Sequence, residues 1–328
     1  MKNNLFKLTA VLFAAFFLAC NSTQDKNSDD ATAQETEIAS FEASEAEIEE
    51  NLRFLASDEL QGRATGTEGI EKAATFIEEY FQEYNVEPYF EDYRDRFEVE
   101  GKEAFNIVGF LEGNDPELKD EFIIIGAHYD HIGIGEAVGN DSIANGANDN
   151  AAGTVAVMEL ARKFALKDNK GRSILFVLFS GEELGLTGSE HIAQKLKAEN
   201  LDLYAVVNLE MIGIPMQGKN HLAYLTGYEN SNFAEKFNEY AGEKVLGFLP
   251  QAKEYNLFQR SDNYPFFEEF NIPAQTISTF DFTNYEYYHH VSDEADNMDF
   301  QHMTNLIDAV FPAILEMTNT EEKEIKLN

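Results

Sequence analysis

Segments that are apolar at every position alternate with segments of helical periodicity along most of the chain. A continuous apolar run is typical of a strand that is covered on both faces, as in the centre of a parallel sheet. The pattern predicts an α/β fold, a three-layer α/β/α sandwich whose mixed, mostly parallel central sheet carries helices on both faces. The predicted strands are residues 121–127, 173–179, 203–209 and 272–280. The predicted helices are residues 67–84, 151–166, 187–199, 231–241 and 300–317.

The patterned region reads as one domain. Hydrophobic residues make up 44% of the 328 residues, which is enough for a sizeable core. Neither an internal repeat nor a Pro/Gly-rich linker interrupts the pattern, so we expect a single domain over residues 46–320. Its first helix is predicted to begin after Ser44, because S-E-A-E forms a capping box there and apolar residues follow at helical spacing.

The N-terminal 20 residues have the layout of an export signal. A basic start precedes a short apolar stretch, residues 8–19, which is too short for a typical membrane span. The stretch ends in F-L-A-C, which resembles a bacterial lipobox, so residues 1–20 are expected to be a lipoprotein signal peptide with Cys20 as the lipidated residue. Ordinary secretion with cleavage nearby is the alternative. Residues 21–45 are polar and acidic, so we expect a flexible tether between a membrane-bound lipid and an exported, cell-envelope domain that faces the periplasm or lies at the outer membrane.

Charge and cysteine content exclude two classes of function. The formal net charge is −36, from 24 basic and 60 acidic side chains, so the surface repels phosphates and nucleic-acid binding is excluded. Cys20 is the only cysteine, so the domain has neither disulfides nor thiolate zinc sites.

Acidic and imidazole side chains follow the predicted strands at the points where the strands end. Ligands of open α/β sheets bind outside the carboxyl ends of the strands, so residues from distant parts of the sequence are expected to meet there. Imidazole and carboxylate are the ligand types expected of zinc where thiolates are absent. The residues concerned are His128, Asp130 and His131 in H-Y-D-H, Asp149 in N-D-N-A-A-G, Glu182 and Glu183 in S-G-E-E-L-G, Glu210 in N-L-E-M-I-G, and Tyr288, His289, His290 and Asp293 in Y-Y-H-H-V-S-D.

Each of these residues also has a local explanation. Asp149 could cap the helix that follows it, and Glu210 could be a buried acid paired with an arginine. The adjacent Glu182 and Glu183 could be a strand end that has reached water. These local explanations would each have to hold independently at the same sheet edge, whereas one metal site would explain all of these residues together. We therefore prefer the hypothesis of a metal site.

Other hydrolytic and nucleotide-binding chemistries lack their motifs. The glycines of G-I-G-E-A-V-G, residues 133–139, have the wrong spacing for a dinucleotide-binding loop, and H-Y-D-H precedes them. The G-x-S-x-G elbow of serine hydrolases and the H-E-x-x-H helix of thermolysin-type enzymes are both absent from the sequence.

Six motifs occur in the order found in the di-zinc aminopeptidases. They are A-H-Y-D-H-I-G, G-A-N-D-N-A-A-G, F-S-G-E-E-L-G-L-T-G-S, N-L-E-M-I-G, S-D-N-Y-P-F and Y-H-H-V-S-D. Residues 48–315 therefore resemble the metallopeptidase family that contains bacterial leucyl aminopeptidase and aminopeptidase Y and, more distantly, glutamate carboxypeptidase and glutaminyl cyclase. L-A-S-D-E-L-Q-G-R-A-T-G-T, residues 55–67, also resembles the approach to that domain. The resemblance implies the zinc-peptidase fold of the phosphorylase/hydrolase-like type.

The resemblance implies two co-catalytic zinc ions. His128 and Glu210 would hold one ion, Glu183 and His289 would hold the other, and Asp149 would bridge both. It further implies that the reaction is the hydrolysis of N-terminal residues from peptides with a free N-terminus.

The resemblance also implies catalytic roles for three further residues. Glu182 would be the general base that takes a proton from the water activated by the metals. Asp130 would hydrogen-bond the far nitrogen of His128 and so fix its tautomer, and Tyr288 would stabilise the oxyanion. Arg260 and Asp262 are candidates for substrate binding, Arg260 through a substrate carboxylate or, alternatively, as a partner in a surface salt bridge.

Two positions depart from the family pattern. Glu210 stands where most of the aminopeptidases have Asp, and one added methylene could displace the second zinc ion or change its coordination. Asn263 replaces a frequent His. A glutaminyl cyclase or a carboxypeptidase on the same fold, and a non-catalytic binding lipoprotein of the cell envelope, therefore stay open as alternatives.

Overall fold

The predicted apolar strands form the centre of a nine-stranded sheet in the computed structural model, which describes residues 41–167 and 171–328. Two further strands, β5 and β6, pair separately as a hairpin. The strands are β1 (Glu87–Pro88), β2 (Arg94–Val99), β3 (Lys102–Leu111), β4 (Glu121–His128), β5 (Gly133–Val138), β6 (Asp141–Ala144), β7 (Ser173–Phe179), β8 (Asp202–Glu210), β9 (Ala223–Leu225), β10 (Leu246–Gly247) and β11 (Ala274–Ser278).

The central strands are parallel and the outer strands are mixed. The order is β1-β3-β7-β4-β8-β11-β9-β10, with β2 paired to β3. β7, β4, β8 and β11 run parallel, whereas β3 runs antiparallel to β7 and β9 antiparallel to β11. Ile125 on β4 lies opposite Phe176 on one neighbour and Val207 on the other, so the strands end at one common edge.

Helices cover both faces of the sheet. Ile123 and Ile125 pack in one cluster with α1, α2, α3, α5 and α8, and Ile124 packs in a second cluster with α4 and α7. Each fully buried isoleucine stabilises the fold by about 1.5–3 kcal/mol. The three-layer α/β/α prediction is therefore confirmed. The helices are α1 (Glu45–Leu55), α2 (Glu68–Glu83), α3 (Ala152–Leu166), α4 (Thr187–Ala198), α5 (Phe233–Ala241), α6 (Pro250–Glu254), α7 (Asn263–Phe270) and α8 (Phe300–Asn319).

The packed domain extends further toward both termini than the sequence predicts. The helix predicted after Ser44 begins there, and the Ser44 hydroxyl accepts a hydrogen bond from the Glu47 amide at 3.3 Å. Phe41 already packs on Phe311, with ring centroids 5.2 Å apart, so the expected tether end at residue 45 is too late. Near the other terminus, the buried Ile325 donates its amide to the Tyr204 hydroxyl at 2.9 Å, beyond the predicted limit at residue 320.

Several predictions fall on residues outside the described region. The signal peptide, the lipidated Cys20 and the tether up to residue 40 stay predictions from the sequence. Within residues 41–167 and 171–328, no helix combines the length and apolar character that crossing a bilayer would need.

Candidate metal centre and active site

The adjacent order of β7, β4 and β8 places three ligand-bearing segments side by side. His128 is the last residue of β4 and Glu210 the last residue of β8. Glu182 and Glu183 follow β7 after a tight turn at Gly181, where φ is +75° and a Cβ would lie 2.2 Å from a side-chain oxygen of α4. Only glycine fits that turn without strain. The sheet therefore delivers residues that are up to 82 positions apart in the chain to one edge.

Asp149 lies at the centre of this edge, in a π-helical turn that leads into α3. Its Oδ1 is 3.3 Å from His128 Nε2, and its Oδ2 is 3.2 Å from His289 Nε2. The carboxylate of Asp293 accepts hydrogen bonds from the Asn148 and Asp149 amides at 2.8 and 3.0 Å and so holds the turn in place. The Asn150 Oδ1, rather than the Asp149 carboxylate, accepts a hydrogen bond from the Gly153 amide in the first turn of α3, at 3.0 Å.

The first group of possible ligands surrounds one side of Asp149. Glu183 Oε2 is 3.1 Å from His289 Nε2, and Glu183 Oε1 is 2.8 Å from His131 Nδ1. Ligand atoms of His131, Asp149 and Glu183 all lie within 4.8 Å of one another, as required for a shared metal ion. The Glu183 side chain is only 10% exposed, so it is not a solvated strand end. The sequence reasoning assigned no role to His131.

The second group lies on the other side, where ligand atoms of His128, Glu182 and Glu210 also come within 4.8 Å of one another. Ser261 donates a hydrogen bond to Glu210 Oε2, and within the described residues Glu210 forms no ion pair with an arginine. The structure thus brings all five predicted metal ligands and Glu182 into one cluster.

Unpartnered polar atoms mark the cluster as fit for cations. Within the described residues, both ring nitrogens of His131, Asp149 Oδ2 and Glu183 Oε1 are buried without a hydrogen-bond partner. Each unsatisfied buried polar atom costs about 1–3 kcal/mol. A divalent cation would satisfy His131 Nδ1, Asp149 Oδ2 and Glu183 Oε1 together, and imidazole plus carboxylate is a donor set that suits zinc.

The pKa values of the residues in the cluster also favour bound cations. Burial raises the pKa of Glu182 well above its usual range and that of Glu210 to about 7. Burial acts to lower the pKa of His289, but contact with Asp149 and Glu183 raises it to about 10. The cluster thus holds more negative charge than its own groups balance, which favours bound cations.

Asp130 supports His128 differently from the prediction. His128 Nδ1 lies 3.1 Å from the Asp130 main-chain oxygen but 3.6 Å from its carboxylate, so the main-chain oxygen is the partner that fixes the ring. The Asp130 carboxylate instead accepts from the Thr65 hydroxyl at 3.0 Å and from the Glu182 amide at 3.3 Å. Its side chain therefore positions the segment that carries Glu182.

Arg63 is a supporting residue that sequence reasoning missed. Its guanidinium is 1% exposed and donates to the main-chain oxygens of Leu55, Tyr129, Asn145 and Gly146 at 2.5 to 3.0 Å. Burial lowers the pKa of Arg63 to about 10, so it stays charged at neutral pH. One side chain therefore ties the loop after β4 to the turn that carries Asp149. Its only sequence signal is the motif over residues 55–67.

An aromatic pocket opens beside the cluster. Glu210 lies in its wall, and Tyr288, which is 40% exposed, stacks on His289 with ring centroids 4.0 Å apart. Burial and the nearby carboxylates raise the pKa of Tyr288, so its hydroxyl stays protonated and can donate a hydrogen bond. The apolar part of the lining is Met211, Tyr224, Leu257, Phe280, Phe282 and Tyr288.

The two predicted substrate-binding residues have different positions. Arg260 is exposed at this pocket, and no ion pair to it is found within the described residues, so the salt-bridge alternative lacks a partner. Asp262 is 0% exposed and lies outside the lining of this pocket, so its role in substrate binding stays a prediction from the sequence. Burial raises its pKa to about 7. The two residues are two positions apart in the sequence, but Arg260 is exposed and Asp262 is buried.

The sequence model of peptidase family M28 matches residues 106–314. That segment holds all five predicted ligands together with Glu182 and Tyr288 and makes up well over half of the chain. The chain belongs to peptidase family M28. Aminopeptidase YwaD of Bacillus subtilis is 29% identical over 223 residues, which are 66% of this chain and 46% of that protein. The chain spans about half the length, or less, of the curated relatives it matches.

Solved structures share the fold of this M28 domain. The LapA aminopeptidase of Legionella pneumophila superposes with a TM-score of 0.66 at 22% identity and covers 97% of this chain and 81% of LapA. The glutaminyl cyclase of Fimbriiglobus ruber has a TM-score of 0.64 at 19% identity, covering 83% of this chain and 95% of the cyclase. The likeness therefore includes proteins of different catalytic types.

Asn263, a departure noted in the sequence, has a structural role in this M28 domain. It is fully buried, donates to the main-chain oxygens of Phe258 and Ala274 at 3.2 and 3.1 Å, and accepts from the Thr276 hydroxyl at 2.8 Å. Its amide thus fastens the start of α7 to β11. The other departure, Glu210, reaches the cluster and keeps a hydrogen bond from Ser261.

Proposed function

We propose that the protein is a zinc-dependent aminopeptidase that holds two zinc ions and removes N-terminal residues from peptides. The observation that carries the proposal is the central position of Asp149, whose two oxygens lie 3.3 and 3.2 Å from imidazoles on opposite sides. His128 and Glu210 would complete one zinc site and Glu183 and His289 the other. Zinc in such sites supplies a Lewis acid that polarises a carbonyl and lowers the pKa of water.

Glu182 is the residue placed to move a proton. It lies among His128 and Glu210 on the side of the cluster next to the pocket, and its amide is held by Asp130 at 3.3 Å. A carboxylate in this position takes a proton from the attacking water and delivers it to the leaving amine. Tyr288, protonated and stacked on His289, donates a hydrogen bond to the developing oxyanion.

The pocket favours a substrate with an apolar first side chain and a free amine. Six aromatic or aliphatic residues line it, and the Glu210 carboxylate faces it from the cluster. Carboxylates bind a positively charged terminal amine well, and the aromatic lining accepts an apolar side chain. Arg260 at the same pocket would bind a carboxylate of the substrate. Aminopeptidase YwaD, a relative by sequence, supports the assignment.

The sequence of residues 1–40 supports a cell-envelope location. With an export signal, a lipobox-like F-L-A-C and a polar segment before the domain, the protein would be exported and attached to the membrane by lipid on Cys20. Labelling cells with a radioactive fatty acid tests this. Loss of the label in Cys20→Ser is expected, and unchanged label would contradict it.

Substrate tests separate the aminopeptidase from its rivals. Purified protein is loaded with zinc, its metal content is measured, and it is assayed on aminoacyl-anilides, on N-terminally blocked peptides and on peptides that begin with Gln. Two zinc ions and hydrolysis of the anilides alone are expected. Hydrolysis only of blocked peptides would indicate a carboxypeptidase, cyclisation of Gln peptides a glutaminyl cyclase, and absence of both zinc and activity a binding protein.

A further inference from the structure

The second histidine of H-Y-D-H, His131, has no place in the ligand set above. It is 1% exposed, and neither ring nitrogen has a hydrogen-bond partner within the described residues. Buried ring nitrogens that lack a hydrogen bond are costly, so the surroundings of His131 call for an explanation. The nearest polar atoms to its Nδ1 belong to Glu183 and Asp149, the residues assigned to one zinc ion.

The distances around His131 suit a common metal ion. Its Nδ1 lies 2.8 Å from Glu183 Oε1 and 3.8 Å from Asp149 Oδ2. His289 Nε2 flanks the same two carboxylates from the other side, at 3.1 and 3.2 Å. Donor atoms bound to a tetrahedral zinc at about 2.1 Å lie about 3.4 Å apart. The four measured distances scatter around that value, with Glu183 presenting Oε1 to His131 and Oε2 to His289.

The ring of His131 is held in this orientation by its neighbours. Gly146 has a φ of +60°, and a Cβ there would lie 2.6 Å from ring carbons of His131, so the imidazole face packs directly on the glycine backbone. Arg63 donates to the main-chain oxygen of the same Gly146 at 3.0 Å. His131 and His289 meet edge to face, with ring centroids 5.6 Å apart. The imidazole is thus pre-positioned, as metal ligands require.

We propose that His131 Nδ1 is a fourth protein ligand of the zinc ion held by Asp149, Glu183 and His289. A hydrogen bond between His131 Nδ1 and Glu183 Oε1, which lie 2.8 Å apart, is the competing explanation, and the experiments below separate the two. The inference rests on the proposed two-zinc function. Its consequence would be asymmetry: four residues of the protein would hold this ion, whereas three residues, His128, Asp149 and Glu210, would hold the other ion beside Glu182.

Metal titration of the full-length apoprotein tests the assignment without using activity. Zinc binding to His131→Ala and His131→Asn is measured by competition with a chromophoric chelator. The Asn amide can donate a hydrogen bond from the position of Nδ1 but does not replace imidazole as a zinc ligand. The matched control is His302→Asn, another buried histidine with an unpartnered Nε2 within the described residues, located on α8.

We expect wild type and the His302 control to bind two zinc ions. Both His131 variants should keep one ion at wild-type affinity and bind the second more than about 100-fold more weakly, beyond the loss typical of a supporting residue. Two ions bound at wild-type affinity by His131→Asn would overturn the proposal in favour of a hydrogen bond. Wild type that binds no zinc would instead overturn the proposed function.

Anomalous diffraction from zinc-loaded wild-type crystals keeps the proposal testable if the variants fail to fold. A zinc peak at about 2.1 Å from His131 Nδ1 supports it. Peaks at both sites with His131 more than about 3 Å away, outside any zinc–nitrogen bond, overturn this inference and leave the two-zinc function intact.

Discussion

The ligand cluster and the pocket wall lie side by side but are built differently. Three of the five proposed ligands stand at or just after the ends of long, largely buried strands, and side chains such as Asp293 and Arg63 hold the neighbouring loops at the main chain. The pocket wall comes from the three-residue strand β9, a short 3₁₀ turn and the segment after β11, and two of its aromatics, Phe282 and Tyr288, are 38% and 40% exposed. The difference suggests a rigid reaction centre beside a wall that can vary with the substrate.

The comparison predicts that changes in the cluster affect the chemical step most. Glu182→Gln removes the group that moves the proton and leaves the proposed ligands in place, so kcat should fall about 10²–10⁴-fold. KM and the zinc content should stay near wild type, which steady-state kinetics and metal analysis measure. Glu190→Gln, a change of the same kind on α4, is the control and should be neutral. A Glu182 variant of full activity would remove it from the mechanism.

A second prediction concerns the support of the cluster. Arg63→Ala leaves four buried main-chain oxygens without their donor, so the free energy of unfolding should fall by about 3–5 kcal/mol. Because the freed loops carry ligands, zinc affinity should fall as well. Denaturant unfolding of the apoprotein and zinc competition measure the two effects.

Arg172→Ala is the matched control for Arg63→Ala. Arg172 is 0% exposed and donates to the main-chain oxygens of Met317 and Thr320, but it lies at the start of β7, away from the ligand edge. It should destabilise the fold comparably and leave zinc affinity unchanged. Equal losses of zinc affinity in both variants would show that Arg63 acts on the site through global stability alone.

The third prediction is a pH dependence of the zinc-free protein. Burial raises the pKa of Glu210 to about 7 from an unfolded value near 4.5, so the folded state binds the extra proton. Stability from this group is therefore full below about pH 4.5 and is lost as the pH rises to about 7, by on the order of 3 kcal/mol. Urea unfolding of apoprotein at pH 5 and pH 8 measures it.

Two controls sharpen the pH experiment. Glu210→Gln should remove only part of the slope, because the neutral amide carries no titrating proton but Asp262, whose pKa is also raised to about 7, still titrates. Zinc-loaded protein should lose the slope or reverse it, since a bound cation favours the ionised carboxylate. Apoprotein that gains stability from pH 5 to pH 8 would contradict the environment found for Glu210.

The same contrast explains which features the sequence could predict. The strand S-I-L-F-V-L-F was predicted at its observed bounds, residues 173–179, because burial on both faces leaves a continuous apolar signal. The prediction that ligands lie at the strand ends followed from the predicted strands. β2, with the sequence R-D-R-F-E-V, lies at the sheet edge and carries no such signal, and β9 and β10 are too short to show any period.

The sequence did not reveal the structural positions of three residues: Arg63, His131 and Asp262. Arg63 binds four carbonyl groups, and no side-chain pattern reveals which carbonyls will converge. His131 lies three residues after a predicted ligand, and only the folded loop reveals that both imidazoles approach Asp149. Asp262 was a candidate for substrate binding, and the sequence did not reveal that it would be buried at the start of α7. The local sequence indicates which chemical groups are present, whereas the tertiary structure decides where each side chain lies.

The smallest effect is expected at the pocket wall, from Arg260→Gln. Arg260 is exposed, so its pairing with a substrate carboxylate contributes at most about 1 kcal/mol, or roughly fivefold in KM. KM should rise for a dipeptide such as Leu-Gly, whose carboxylate can reach the pocket, and stay unchanged for a leucyl anilide, which has none. Lys253→Gln removes the same charge outside this pocket and should leave both values unchanged. An equal rise of KM for both substrates would mean that Arg260 shapes the wall rather than binding the carboxylate, because only a direct ion pair distinguishes the two substrates.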